Sequence, residues 1–150
     1  PFLAECEIEL PTDGAQRYAP VATETLVNLM LGANDPGSSG NILHTRLRYF
    51  DGARRRAGLP EDVAALVTKV ERDSVTVTLV NTSPVHEREV IVQTGGYAEH
   101  AGVAVEMGGK RVALEGTHFT ARMAPGTGET LRIEMKRYAN APTAAAPWER

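Results

Sequence analysis

The chain has 150 residues, 42 % hydrophobic and 23 % charged, a balance that suits one globular domain with a real core. Its formal net charge of −3 offers no basic field to a phosphate backbone, which sets nucleic acid aside as a partner. The single cysteine, Cys6, excludes an internal disulfide, and no apolar run reaches the length of a membrane span: Leu26 to Leu31 is broken by Asn28 and stops at Gly32.

The chain opens Pro1, Phe2, Leu3, Ala4 with no initiator methionine and no visible signal peptide, as expected of a processed chain or a cut domain. Ala4 to Leu10 alternates and reads as a strand. Within it Cys6 is flanked by Glu5 and Glu7, which would raise a thiol's pKa, so Cys6 reads as a bystander and not a nucleophile. Thr23 to Leu31 fits two periods: Leu26, Leu29 and Met30 suit a helix, whereas Thr25, Val27, Leu29 and Leu31 suit a strand face. Ala33 to Gly40 is a loop. Asn34, Asp35, Ser38 and Ser39 supply the oxygens a calcium site uses, but the alternating acids and closing glutamate of an EF-hand are missing. The Gly37 to Gly40 stretch lacks the lysine of a phosphate loop. Ile42 to Asp51 reads as a strand, and Arg54, Arg55 and Arg56 as a solvated loop. Leu59 to Val67 predicts one short helix. Pro60 suits a first turn, Glu61 and Asp62 suit the positive N-terminus, and Val63, Leu66, Val67 and Val70 form one apolar stripe.

The second half predicts strands. Ser74 to Asn81 sets Val75, Val77 and Leu79 against Thr76, Thr78 and Val80, and the β-branched residues suit a pleated surface. Arg88 to Thr94 follows and stops at Gly95 and Gly96. Val103 to Met107 and Lys110 to Leu114 flank Gly108 and Gly109, a hairpin signal because primed turns need positive φ. Thr117 to Met123 and Glu129 to Tyr138 complete the set. Successive strands without intervening helices predict a mainly β fold, an antiparallel, jelly-roll-like β-sandwich with one short helix near residues 60–70. The sandwich spans 41–138. Residues 1–40 form an N-terminal strand and loop segment at the edge of a preceding domain or of this one, and 139–150 form an irregular tail. Trp148, the only tryptophan, reads as a plug that pins this tail to a groove.

The chemistry is sparse. His44, His86, His100 and His118 show no ligand spacing with one another, and no cysteine cluster, cofactor motif or Gly-x-Ser-x-Gly elbow accompanies them. Each histidine reads as a surface or hydrogen-bonding residue. Glu99 and His100 are the nearest approach to a mixed ligand pair. Neighbours on a strand face opposite ways, so these two meet only if the backbone is irregular there. Glu7, Glu9, Glu106 and Glu134 fall on polar strand faces and read as solubilising charge.

The segment Ser74 to Gln93, a strand ending in Leu79, Val80 and Asn81, then a break and a charged strand, resembles the C-terminal β-sandwich modules of large bacterial carbohydrate-processing and related α/α-toroid enzymes. Phe119 to Ile133, in which Pro125 and Gly126 lead into a closing strand, is similar to the end of such modules. The resemblance covers residues 74–138. It implies an accessory role beside a catalytic domain elsewhere, with no catalytic residue carried over.

Three expectations follow. The first is a non-catalytic module or small subunit packed on a larger, carbohydrate-processing partner. The second is a carbohydrate-binding module, for which Tyr49, Tyr97, Tyr138 and Trp148 are the stacking candidates. The third is a small metal- or acid-dependent enzyme centred on Tyr97, Glu99 and His100, with His44 in reach. Self-association through strand edges is a further route to an assembly. The ligand-binding residues singled out are Tyr97, Glu99, His100 and Trp148; no metal ligand and no cofactor are assigned.

Overall fold

The computed structural model describes residues 24–33 and 45–149. The strand expected at 4–10, the loop at 34–40, Cys6 and His44 lie outside these residues. Two antiparallel sheets pack face to face and neither closes into a barrel, as the alternating pattern of the second half predicts. Helix α1 (Glu24–Leu31) comes first, followed by β1 (Leu47–Asp51), β2 (Arg56–Ala57), β3 (Val63–Val70), β4 (Ser74–Asn81), β5 (Arg88–Thr94), β6 (Ala101–Met107), β7 (Lys110–Ala113), β8 (His118–Met123) and β9 (Gly128–Lys136). The first sheet runs β2-β1-β5-β8 and the second β3-β4-β9-β6-β7.

The core is what the inward faces bring together. Leu47, Tyr49, Val90, Val92 and Met123 of the first sheet meet Val67, Val75, Val77, Leu79, Leu131, Ile133 and Met135 of the second. In β4 and β9 the alternation is clean: Val75, Val77 and Leu79 are buried, while Thr78 and Thr130 share a hydrogen bond of 3.0 Å on the opposite face. The β6–β7 hairpin pairs Met107 with Lys110 across Gly108 and Gly109, at φ 54° and 76°. Both turn residues are thus left-handed, as a primed two-residue turn requires.

Residues 60–70 are not helical, which corrects the helix expected there. Pro60 to Asp62 make a turn in which the Val63 N–H donates to the Pro60 carbonyl at 3.3 Å and Asp62 takes φ 61°; β3 then pairs with β4 from Val63 to Val70. Val63, Ala65 and Val67 face inward in period 2, and the register shifts between Val67 and Lys69. Among the described residues β3 is an edge of its sheet, where that irregularity and the Lys69 charge discourage pairing with another strand. Among the described residues the α-helix is instead Glu24–Leu31. It packs on β3 and β1 at one flank of the sandwich, where Met30 and Leu31 meet the core. The Tyr49 hydroxyl donates to the Met30 carbonyl at 2.7 Å, and the Arg46 N–H to the Leu31 carbonyl at 3.0 Å, so orphan carbonyls of the last turn are satisfied.

The basic run forms the β1–β2 turn. Asp51, buried, accepts the Arg54 N–H at 3.1 Å and Arg56 Nε at 3.2 Å, and Arg54 pairs with Glu61 at 2.6 Å.

Asn81 ties the two sheets at one end. Fully buried, it donates through Nδ2 to the carbonyls of His86, Met123 and Ala124 at 2.8, 3.2 and 3.1 Å, and its Oδ1 accepts the Ser83 N–H at 3.0 Å. Asn81→Ala leaves these groups without that partner and is expected to cost about 3 kcal/mol, because unpaired buried polar groups bear their full desolvation penalty. Urea unfolding of the two proteins measures this as a lower midpoint with an unchanged slope.

Candidate functional site

Three of the four residues singled out from the sequence converge on the turn that follows β5. Gly95, at φ 87°, breaks the strand, and Ala98, at φ 58°, bends the chain again. This is the backbone irregularity that lets Glu99 and His100 meet, with Glu99 Oε1 lying 3.8 Å from His100 Nε2. The Glu99 carboxylate also curls back over the turn. Its Oε2 accepts the Tyr97 N–H at 2.7 Å, and it covers Gly95 so closely that a β-carbon there would collide with it. Carbonyls of the turn are held from below: Arg48 Nη1 donates to Gly96 at 3.0 Å, and Gln93 Nε2 donates to Gly95 at 3.1 Å. The Thr94 hydroxyl donates to the His100 carbonyl at 2.8 Å.

His100 is 2 % exposed. Its Nδ1 accepts the backbone N–H of Tyr138 at 3.1 Å, so the neutral ring carries its proton on Nε2, facing Glu99. Burial holds the imidazole below the usual histidine range; Glu99 opposes that shift, and Arg46 and Arg137 reinforce it. The Tyr138 ring stands edge-on to the imidazole, with centroids 4.9 Å apart. Tyr97 presents an exposed side chain at the turn.

The tail docks on this turn. The Asn140 N–H donates to the Glu99 carbonyl at 3.2 Å and its Nδ2 to the Ala98 carbonyl at 3.2 Å, and the Thr143 N–H donates to the Tyr97 carbonyl at 2.8 Å. The tail ends in a short helical turn, Pro147–Glu149. There Trp148 meets Phe50 edge-on at 5.8 Å, and Arg48 stacks on the same Phe50 ring at 5.0 Å. Leu47 and Tyr49 of β1 point into the core, so Phe50 lies on the outer face of the first sheet. Trp148 thus packs the tail against Phe50, the plug its lone terminal position suggests.

The other stacking candidates are dispersed. Tyr49 is a core residue, and burial pushes its hydroxyl well above the usual tyrosine range. Tyr97 and Tyr138 are exposed at the turn and the tail. His86 is exposed, while His118 is half-buried on β8. Among the described residues no three His, Cys, Asp or Glu side chains gather as metal ligands, and no helix is long and apolar enough to cross a membrane. Arg48, Gln93, Tyr138 and Asn140 carry the turn's geometry without any local signal to mark them. No family model matches the chain, and no curated protein or solved structure is significantly similar to it.

Gly95→Ala is expected to destabilise the protein by about 2 kcal/mol, since it combines a left-handed backbone with displacement of the Glu99 carboxylate. Hydrogen exchange would show the loss first at the Tyr97 amide.

Proposed function

We propose that this chain is a non-catalytic β-sandwich module that packs on and stabilises a larger, carbohydrate-processing catalytic partner. The observation that carries the reading is the outer side of α1. Met30 and Leu31 are turned to the core, yet Leu26, Val27 and Leu29 stand 67 %, 41 % and 44 % exposed. Apolar side chains on a helix belong against a partner, and here the sandwich covers only Met30 and Leu31 of the five. β3, on which the helix packs, adds exposed Leu66 and Val70. Exposed apolar side chains grouped on one element in this way mark a place where another protein sits. The substrate class of the partner rests on the resemblance carried by residues 74–138.

The turn at 95–100 supports the same reading. Glu99 is engaged with its own backbone, and both ring nitrogens of His100 face protein groups, so the pair is built to hold the tail and not to meet a substrate. A sugar-stacking platform finds less support, because Trp148 is committed to Phe50.

Light scattering on the protein purified from its source tests the proposal. The expected result is an assembly heavier than this chain, containing a second polypeptide or a longer precursor. Leu26→Glu with Leu29→Glu should then weaken the assembly by at least about tenfold while the isolated sandwich still folds. A lone monomer whose mass and solubility are unaffected by the two substitutions overturns it.

A further inference from the structure

We infer that His100 is a proton-operated latch: the neutral ring holds the tail, residues 138–149, against the sandwich, and protonation releases the tail and uncovers Phe50 on the outer face of the first sheet. The inference does not depend on the accessory-module reading.

The geometry sets the switch. A neutral imidazole has one donor and one acceptor, and the acceptor, Nδ1, is the atom that receives the Tyr138 N–H at 3.1 Å. A proton on Nδ1 turns that contact into two donors pointing at each other. It also places a positive charge on a ring that is 2 % exposed. The charged and titratable groups facing the ring come from three segments. Arg46 precedes β1, Arg137 and Tyr138 open the tail, and Glu99 adjoins the ring in the turn. Two of these groups are cationic. The one carboxylate among them lies 3.8 Å away, beyond hydrogen-bond length, and its other oxygen is engaged by the Tyr97 N–H. The Arg137 guanidinium is engaged by the same tail residue, donating to the Tyr138 hydroxyl at 3.2 Å and stacking on its ring at 5.0 Å, while its buried Nε has no hydrogen-bond partner among the described residues.

What the latch restrains is a strap that belongs to neither sheet. Tyr138 sits at φ 52°, a conformation an aromatic residue enters only under constraint, and the His100 bond fixes its N–H there. Beyond it the tail depends on the bonds of Asn140 and Thr143 to the same turn, and then on the Trp148–Phe50 contact and the buried Pro147. Once Tyr138 is repelled, the remaining bonds hang from a turn whose own geometry is organised by the neighbouring Glu99.

The sign follows from burial. The folded protein holds His100 below the proton affinity it has unfolded, so the tail's attachment is complete above the ordinary histidine range. It is lost progressively as the pH falls below that range and through the lowered folded value.

Trp148, the only tryptophan of the chain, reports on the strap directly. Its emission and acrylamide quenching are followed on the intact chain from about pH 8 to about pH 5, with far-UV circular dichroism recorded alongside. The expected result is a red shift and a several-fold rise in quenching as the pH falls, with the β signal unchanged and with no such change in His100→Asn, whose amide Oδ1 takes the place of Nδ1 and can accept the Tyr138 N–H without titrating. Flat emission in the parent protein overturns the latch, as does an identical titration in His100→Asn or a tryptophan change that coincides with loss of the β signal. If His100→Asn does not fold, amide exchange at Tyr138 and Thr143 in the parent decides: protection falling several-fold in step with the His100 ring resonances supports the latch, and protection independent of that titration overturns it.

Discussion

The ladder between β4 and β9 is the pairing on which the rest of the sandwich depends. It runs from Ser74 opposite Glu134 to Val80 opposite Gly128, and it places Val75, Val77, Leu131 and Ile133 side by side as the floor of the core. β3 joins through β4, and β6 and β7 join through β9, so the second sheet has no continuity without this seam. The first sheet has little floor of its own: β1, β5 and β8 contribute inward residues that are buried only because the seam lies opposite. The partners are far apart in sequence, so the seam bears a loop-closure entropy that the burial of its apolar face must offset.

The strands of this seam were legible because their two faces differ chemically. Valine, leucine, isoleucine and methionine alternate with threonine, arginine and glutamate from 74 to 80 and from 130 to 136, and one face of that pattern must be buried. The failure at 59–70 has the same origin. β3 is an edge strand, so only part of it is covered: Val67 is buried, whereas Leu66 and Val70 are about half exposed. A stripe of Val63, Leu66, Val67 and Val70 then looks helical, although Leu66 and Val67 face opposite sides of a sheet. Pro60, Glu61 and Asp62 fit a helix start equally well as residue types, but the positive φ of Asp62 makes them a turn. In Glu24–Leu31 both periods fit, and packing across β1 and β3 selects the helix.

The turn at 95–100 was legible in part for a different reason. Two glycines after a strand mark a break, and an adjacent Glu99 and His100 mark polar groups that need partners. Those partners could not be read, because they come from sequence positions about forty residues away. Tyr138 engages His100 through its backbone N–H, a group every residue but proline possesses, so its identity carries no trace of the bond. Arg48 is equally silent: on β1 it looks like an ordinary outward-facing charge, yet it joins the Gly96 carbonyl to the Phe50 ring that Trp148 covers.

This arrangement explains why one histidine suffices as a control element in a fold held by so many longer-range contacts. The tail is not a strand of either sheet, and its detachment leaves every ladder intact. Local opening of this kind draws on a small free energy, well below that of global unfolding. The proton-linked energy of one buried imidazole is small against the core, and it weighs more against a strap outside both sheets, whose hold includes the bonds of Asn140 and Thr143 and the Trp148–Phe50 contact. Placing the buried imidazole at the first residues of the tail, and not in the seam, therefore lets a single proton act on the strap without endangering the sandwich.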